Sequence, residues 1–270
     1  MFKKQIPSKN IPKKFGSTDI TPYWDVIKKI VNESDILLEI LDARMPEISR
    51  NLELEKLIKD ENKQLVLILN KADLVSEKQL NYWFTQLKKE FPCFVISSTD
   101  KIGTKRLREW LMTQGKNQDK FKVGIVGYPN TGKSSVINAI ARKKKAKVSS
   151  RAGTTHGPQW INAITNIRII DSPGIIPIKK EDELRYALIA SKNPEKIHNL
   201  DSVANGIIDI FKDKTKLKEF YNISVQSDNA YDIIQEIGKK KGFIKKGGEV
   251  EEGRTRIQII RDWQTGKLRV

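Results

Sequence analysis

Eight consecutive residues, Gly127-Tyr128-Pro129-Asn130-Thr131-Gly132-Lys133-Ser134, follow the pattern GxxxxGK[ST]. Such a segment between a strand and a helix holds phosphate: its backbone amides cradle the anion and the helix terminus adds a favourable dipole. Glycine at 127 and 132 lets the backbone come close. Lys133 is expected on the β and γ phosphates and Ser134 on magnesium, with Asn130, Thr131, Gly132 and Ser135 completing the cradle. Thirty-seven residues beyond Ser134 stands Asp171-Ser172-Pro173-Gly174. Asp171 can hold the same magnesium through water, and the amide of Gly174 can sense the terminal phosphate. Between the two motifs, Gly153-Thr154-Thr155 offers a hydroxyl to the metal. Thr155 is the expected ligand and Thr154 the alternative.

A second set of residues can read a base. In Asn70-Lys71-Ala72-Asp73, the Asp73 carboxylate can accept from both the ring N1–H and the exocyclic amino group of guanine. Adenine lacks that pattern and would leave a buried charge unpaired. The Lys71 stem is expected over the base plane, and Asn70 is expected to tie this loop to the phosphate loop. Ser97-Ser98-Thr99 is expected to donate a backbone N–H to the guanine oxygen. The base loop precedes the phosphate loop in the chain, the reverse of the usual order, so the arrangement reads as a circular permutation.

These loops need strands to present them. Ile36 to Leu41, Leu65 to Leu69, Cys93 to Ile96, Phe121 to Val126 and Ile167 to Ile170 read as strands, and the unbroken apolar run Leu65 to Leu69 fits one covered on both faces. Helices are expected over 22–31, from Ser76 to about Glu90, over 104–114 and over 133–142, with Gly115 to Lys120 as a linker. The alternation predicts an α/β, doubly wound sheet. In that fold, ligands bind beyond the carboxyl ends of the strands. The loops at Asp42, Asn70, Ser97, Gly127 and Asp171 then share one rim. Past about Lys179 the expected elements are all helical: 181–191, 200–211, 229–240 and 251–262. Residues 1–21 read as a basic arm, 22–178 as the nucleotide domain and 179–270 as a small helical domain.

The 270 residues carry 50 Lys+Arg against 33 Asp+Glu, a net charge of +17. Lys3-Lys4, Lys13-Lys14, Lys143 to Lys145 with Lys147, Lys239 to Lys241 and Lys245-Lys246 form clusters. Such a surface attracts nucleic acid. No run approaches the roughly 18 apolar residues of a membrane span. Met1 to Lys14 lacks the apolar core of a signal peptide. The single cysteine, Cys93, lies in an apolar run and reads as a buried thiol. A cytoplasmic protein without a membrane partner is the expectation, with a monomer favoured.

The motif order resembles the circularly permuted GTPases of the YlqF/YawG family, which assist ribosome assembly. Asp42-Ala43-Arg44-Met45-Pro46, Asn70 to Asp73, Gly127 to Ser134, Gly153 to Thr155 and Asp171 to Ile175 carry the resemblance. Gly247-Gly248 and the stretch Arg261 to Leu268 extend it through the C-terminal part. The resemblance implies a GTP-hydrolysing switch, with GTP/GDP and magnesium, acting on rRNA or a precursor of the large ribosomal subunit rather than on DNA. Ras-type enzymes orient water with a glutamine after DxxG; family members carry a hydrophobic residue there, as Ile175 does. Asn130 matches an asparagine tied to potassium-stimulated hydrolysis. Lys133, Asn130, Thr155 and Gly174 are thus the catalytic candidates. Bacterial members also carry a histidine in an N-terminal Gly-His-Met segment. This chain has no histidine before His156, so that role is not carried over. His156 itself reads as a water-positioner, a phosphate neighbour or an exposed residue. The alternatives are a low-turnover, guanine-gated binding module and a GTPase in RNA modification.

Overall fold

The computed structural model describes residues 21–141, 159–164, 166–171 and 183–270, without the side chains of 21–23, 159, 171 and 183. In chain order the first part runs α1 (Thr21–Glu33), β1 (Ile36–Asp42), α2 (Pro46–Ser49), α3 (Leu52–Asp60), β2 (Gln64–Asn70), α4 (Glu77–Leu87), β3 (Cys93–Val95), α5 (Thr104–Gln114), β4 (Phe121–Val126), α6 (Lys133–Ala141), β5 (Gln159–Ile164) and β6 (Ile167–Asp171). The described strands form one sheet in the order β3-β2-β1-β4-β6-β5. Every pairing is parallel except that of β5 with β6.

The strands are apolar in both alternating sets of positions because helices cover both faces. Leu37 and Leu41 point, with Leu65, Leu67 and Leu69, toward Ile27 and Ile30 of α1 and Leu54 and Ile58 of α3. Ile36, Leu38 and Ile40 point the other way, with Val66 and Ile68, toward Leu107 and Leu111 of α5 and Val136, Ile137 and Ile140 of α6. Alternation along each strand sorts the side chains. Each such side chain, fully buried, contributes about 1.5–3 kcal/mol.

The chain steps outward from β1 to β2 to β3, then crosses back to lay β4 on the other side of β1. That reversal opens a crevice at the carboxyl ends of β1 and β4, where open parallel sheets bind ligands. Since β1, β2, β3, β4 and β6 run parallel, their carboxyl ends at Asp42, Asn70, Val95, Val126 and Asp171 lie on one rim.

Several elements differ from expectation. The short α3 has its signals in the sequence: Asn51 caps it by accepting from the Leu54 N–H at 3.1 Å, and Glu53 and Glu55 occupy its first turn. β5 is an antiparallel edge strand with a register shift near Asn162, so it lacks the long apolar run of a buried strand. α4 starts after Ser76, but that side chain makes no capping bond.

The second part holds α7 (Glu183–Leu188), α8 (Leu200–Ile210), α9 (Thr215–Tyr221), α10 (Ala230–Lys240) and α11 (Glu252–Gln264). These form a helical cluster with its own core, in which Ile207, Ile208, Ile233, Ile237 and Ile259 surround the fully buried Trp263. Asn199 and Asn229 cap α8 and α10. α7 ends at Leu188, short of the expected 191. Ala190 takes a left-handed φ of 59°, and the Ser191 N–H closes back on the Tyr186 carbonyl at 2.7 Å. This is a Schellman-type stop made without glycine. A small antiparallel bridge, Ile244 with Val250, interrupts the helices.

One buried carboxyl stands out within β1. Glu39 is 0% exposed, and its Oε1 accepts from the Asn51 N–H at 2.8 Å. Burial first, and the Glu55 carboxylate second, raise its pKa well above the ordinary glutamate range. The folded state thus binds this proton more tightly than the unfolded chain. The resulting stability is complete below the ordinary glutamate pKa and is lost as pH rises through the folded one. Glu39→Gln keeps the acceptor for Asn51 and removes the titration. Its Tm is expected to gain on the wild type progressively from about pH 5 upward. Parallel Tm curves for the two proteins from pH 5 to 9 would contradict this.

Candidate nucleotide site

The phosphate loop leaves β4 at Gly127 and enters α6 at Lys133. Gly127 and Gly132 take φ values of 133° and 100°. A Cβ at Gly127 would meet the Ile40 carbonyl oxygen at 2.7 Å, and one at Gly132 would meet Asn70 Nδ2 at 2.2 Å. Only glycine fits these two positions, and the backbone is thereby drawn against both β1 and the base loop. Thr131 is fully buried and donates from Oγ1 to the Tyr128 carbonyl at 2.9 Å. Lys133 folds over its own loop, donating to the carbonyls of Gly127 (2.9 Å) and Tyr128 (2.8 Å). The helix that follows, nine residues long, turns its positive end to the same place. Ser134 and Ser135 are its next residues and are half-buried. This donor set and this glycine cradle fit a nucleotide phosphate.

The base loop follows β2. Asn70 joins three segments: its Nδ2 donates to the Thr131 carbonyl at 2.9 Å, and its Oδ1 accepts from Ser98 Oγ at 2.7 Å and the Ser98 N–H at 3.3 Å. Ser97 Oγ donates to Asp73 Oδ1 at 2.7 Å and so fixes one carboxylate oxygen. Thr99 is exposed just beyond. Asn70, Asp73, Ser97, Ser98, Thr131 and Lys133, far apart in sequence, are thus gathered at one end of the sheet.

Lys71, whose stem is expected over the base plane, has its amine anchored on the end of β1. It takes a left-handed φ of 63°, and its Nζ donates to Asp42 Oδ2 at 2.7 Å. Asp42 is buried at the end of β1. Burial pushes its carboxyl up, but Arg44 and Lys71 together outweigh that and hold it well below the usual carboxylate range. Burial likewise lowers the Lys71 amine, with Asp42 opposing. Arg44 grips Asp42 through Nε at 3.0 Å and Nη2 at 2.8 Å, and donates Nη1 to the Trp263 carbonyl at 2.6 Å. Its guanidinium lies 4.1 Å from the Trp263 ring centroid. The sequence marks Asp42 and Arg44 only as part of a motif. Their role as a buried link depends on Trp263, 219 positions from Arg44, which local pattern does not reveal.

Asn130 also reaches the helical cluster. It takes a left-handed φ of 60°, and its Nδ2 donates to the Ala190 carbonyl. Arg185 of α7 donates to the carbonyls of Ile48 and Arg50, both at 2.9 Å, and lies 5.2 Å from the Tyr128 ring. The Val270 N–H and C=O pair with Leu74 and Ser76 just past Asp73, both at 2.8 Å. Thr154, Thr155, His156, Gly174, Ile175 and the Asp171 side chain lie outside the described residues, as do Gly153 and Lys143 to Lys147. Among the described residues, no group of three His, Cys, Asp or Glu side chains forms a metal cluster.

Comparison with known proteins agrees with this geometry. The family model described as RsgA GTPase matches residues 21–180, and that described as 50S ribosome-binding GTPase matches 122–240. An uncharacterised GTP-binding protein of Methanocaldococcus jannaschii is 40% identical over 92% of this chain and 66% of that protein. Nucleolar GTP-binding protein 2 of Saccharomyces cerevisiae is 33% identical over 91% of this chain and 52% of that protein. The chain therefore spans between half and two thirds of these relatives. The crystal structure of GNP-bound YlqF from T. maritima has the same fold, with a TM-score of 0.63 at 22% identity over 92% of this chain and 95% of that one. One expectation is corrected here. The relatives from yeasts carry nucleolar names, and one from Arabidopsis thaliana a nuclear/nucleolar one, so the cytoplasmic location read from composition does not stand.

Proposed function

This chain belongs to the circularly permuted P-loop GTPases related to the YlqF/YawG ribosome-biogenesis family, and from that premise we propose that it binds and hydrolyses GTP as a switch in assembly of the large ribosomal subunit. The observation that carries this reading is Asn70, whose one carboxamide joins base loop, companion loop and phosphate loop. Asp73, with one oxygen held by Ser97, turns the other to guanine. The amides of the phosphate loop receive the phosphates, and Lys133 exchanges its two carbonyl partners for phosphate oxygens. Ser134, with Thr155 and Asp171, would hold magnesium, which would neutralise charge on the phosphates. The Gly174 amide senses the γ phosphate.

Asn130 supplies the potassium dependence in this reading. Its Nδ2 is tied to Ala190, so Oδ1 of the same carboxamide is the atom that would ligate the cation. The RNA face is the exposed end of α10 and the turn after it, with Lys239, Lys240, Lys245 and Lys246. The site of action that goes with the relatives' names is the nucleolus.

The test is GTP turnover with and without purified large subunits, in potassium and in sodium at matched ionic strength. Large subunits and potassium are both expected to raise the rate, and Asn130→Ala is expected to remove the potassium response while keeping GDP binding. Equal rates in the two salts, or a variant that still responds, would contradict the role of Asn130. A rate indifferent to large subunits would contradict the assembly role.

A further inference from the structure

We infer that Asp42 and Arg44 are positioning residues for the base-reading loop, and that through them helix α11 sets how tightly the guanine half of the nucleotide is held. This rests on the reading of Asn70 to Asp73 as the base loop. It adds that the loop's geometry is imposed from the helical cluster rather than by the loop alone.

The argument starts at Lys71. Its left-handed backbone, φ 63°, is unfavourable for a residue with a Cβ and persists only where neighbours over-determine it. Two contacts do so. The Ala72 N–H donates to the Ile96 carbonyl at 3.2 Å, and the Lys71 amine is anchored on Asp42 at 2.7 Å. The anchor is itself immobile. The Asp42 side chain is 1% exposed, and its two oxygens are shared between Lys71 and the Arg44 fork.

Arg44 is what keeps this arrangement single-valued. A buried cation, Arg44, and a partly buried one, Lys71, meet one buried carboxylate, so each oxygen of Asp42 must stay assigned. The Arg44 fork assigns them, and the fork is aimed by α11: the Trp263 carbonyl takes Nη1 and the Trp263 ring stacks on the guanidinium. Trp263 is in turn pinned to α7, donating Nε1 to the Leu188 carbonyl at 2.8 Å. A continuous polar chain thus runs Lys71–Asp42–Arg44–Trp263–Leu188. If α11 moves relative to the sheet, the fork turns, Asp42 is freed and Lys71 loses its anchor. The phosphate loop is not in this chain; its links to the cluster are separate ones, Asn130 with Ala190 and Arg185 over the Tyr128 ring. A partner that shifts α11 would therefore loosen the base end of the nucleotide first.

The experiment uses the full chain and two probes, fluorescently labelled GDP and inorganic tripolyphosphate as its competitor. Arg44→Met removes the fork, and Arg44→Lys keeps the charge but loses the planar geometry. Either variant is expected to weaken GDP about tenfold, mainly by faster dissociation, while leaving the tripolyphosphate constant within about twofold. Should Arg44→Met not fold, by circular dichroism, Arg44→Lys decides. Equal weakening of both probes would overturn the inference in favour of a general structural role, and so would unchanged GDP dissociation in a folded variant. A wild-type chain that binds tripolyphosphate but not GDP would instead overturn the base-loop reading beneath it.

Discussion

Replacing Lys133 by alanine is expected to abolish tight nucleotide binding while leaving the fold intact. The side chain is almost fully buried and donates to carbonyls of its own loop, those of Gly127 and Tyr128. Those bonds hold a cation at the mouth of the cradle. The sheet core lies elsewhere, in the leucines and isoleucines of β1, β2 and β4. Removing the amine takes away charge-assisted bonds to two phosphates, each worth about 1.5–3 kcal/mol, so affinity should fall at least a hundredfold or so. Labelled-GDP titration measures the loss, and a melting curve within a few degrees of wild type shows that folding is not its source. A variant that still binds GDP with wild-type affinity would remove Lys133 from the site.

The second large effect is a change of base. Asp73→Asn should weaken GDP by about a thousandfold, because two bonds to a charged acceptor are lost, each worth about 1.5–3 kcal/mol. The amide now offers a donor where the carboxylate offered only acceptors. Xanthosine diphosphate, which has an oxygen in place of the exocyclic amino group, should become the better ligand. Ser97 bears on the same point, since its hydroxyl donates to Asp73 Oδ1 and can serve an amide oxygen equally well. The loop should therefore keep its shape in the variant. Calorimetry with GDP and xanthosine diphosphate reads the switch directly, and an unchanged preference for GDP would mean that Asp73 does not read the base.

What could be read in the sequence follows from where each signal is stored. Ile36 to Asp42, Gln64 to Asn70 and Phe121 to Val126 are covered on both faces, so their runs are mostly apolar, interrupted inside by Glu39 and Lys122, and the strands are legible. β5 pairs on one side only, shows Trp160 partly to solvent and carries Asn162; nothing in it has the periodicity of a central strand. The phosphate loop is legible because its chemistry is local: the two glycines, the lysine and the helix start lie within eight residues. Asn70, Asp73 and Ser97 could be named because they lie at or just beyond the ends of β2 and β3. The grip of Arg44 on Trp263, the anchoring of Lys71 on Asp42 and the bond from Asn130 to Ala190 join positions distant in the chain. The first and last depend on how the helical cluster sits against the sheet and the second on the pairing of β1 with β2, which no local pattern encodes. The compartment was misread for a simpler reason, since composition and the lack of a membrane span do not tell cytoplasm from nucleolus.

The central claim is that two loops in reversed chain order, joined by Asn70, make one guanine-nucleotide site. Calorimetric titration of the chain with GDP and with ADP, magnesium present in both, tests it most directly. The account predicts one GDP per chain and no measurable heat of binding for ADP. Equal affinity for the two nucleotides, or a preference for ADP, would contradict it.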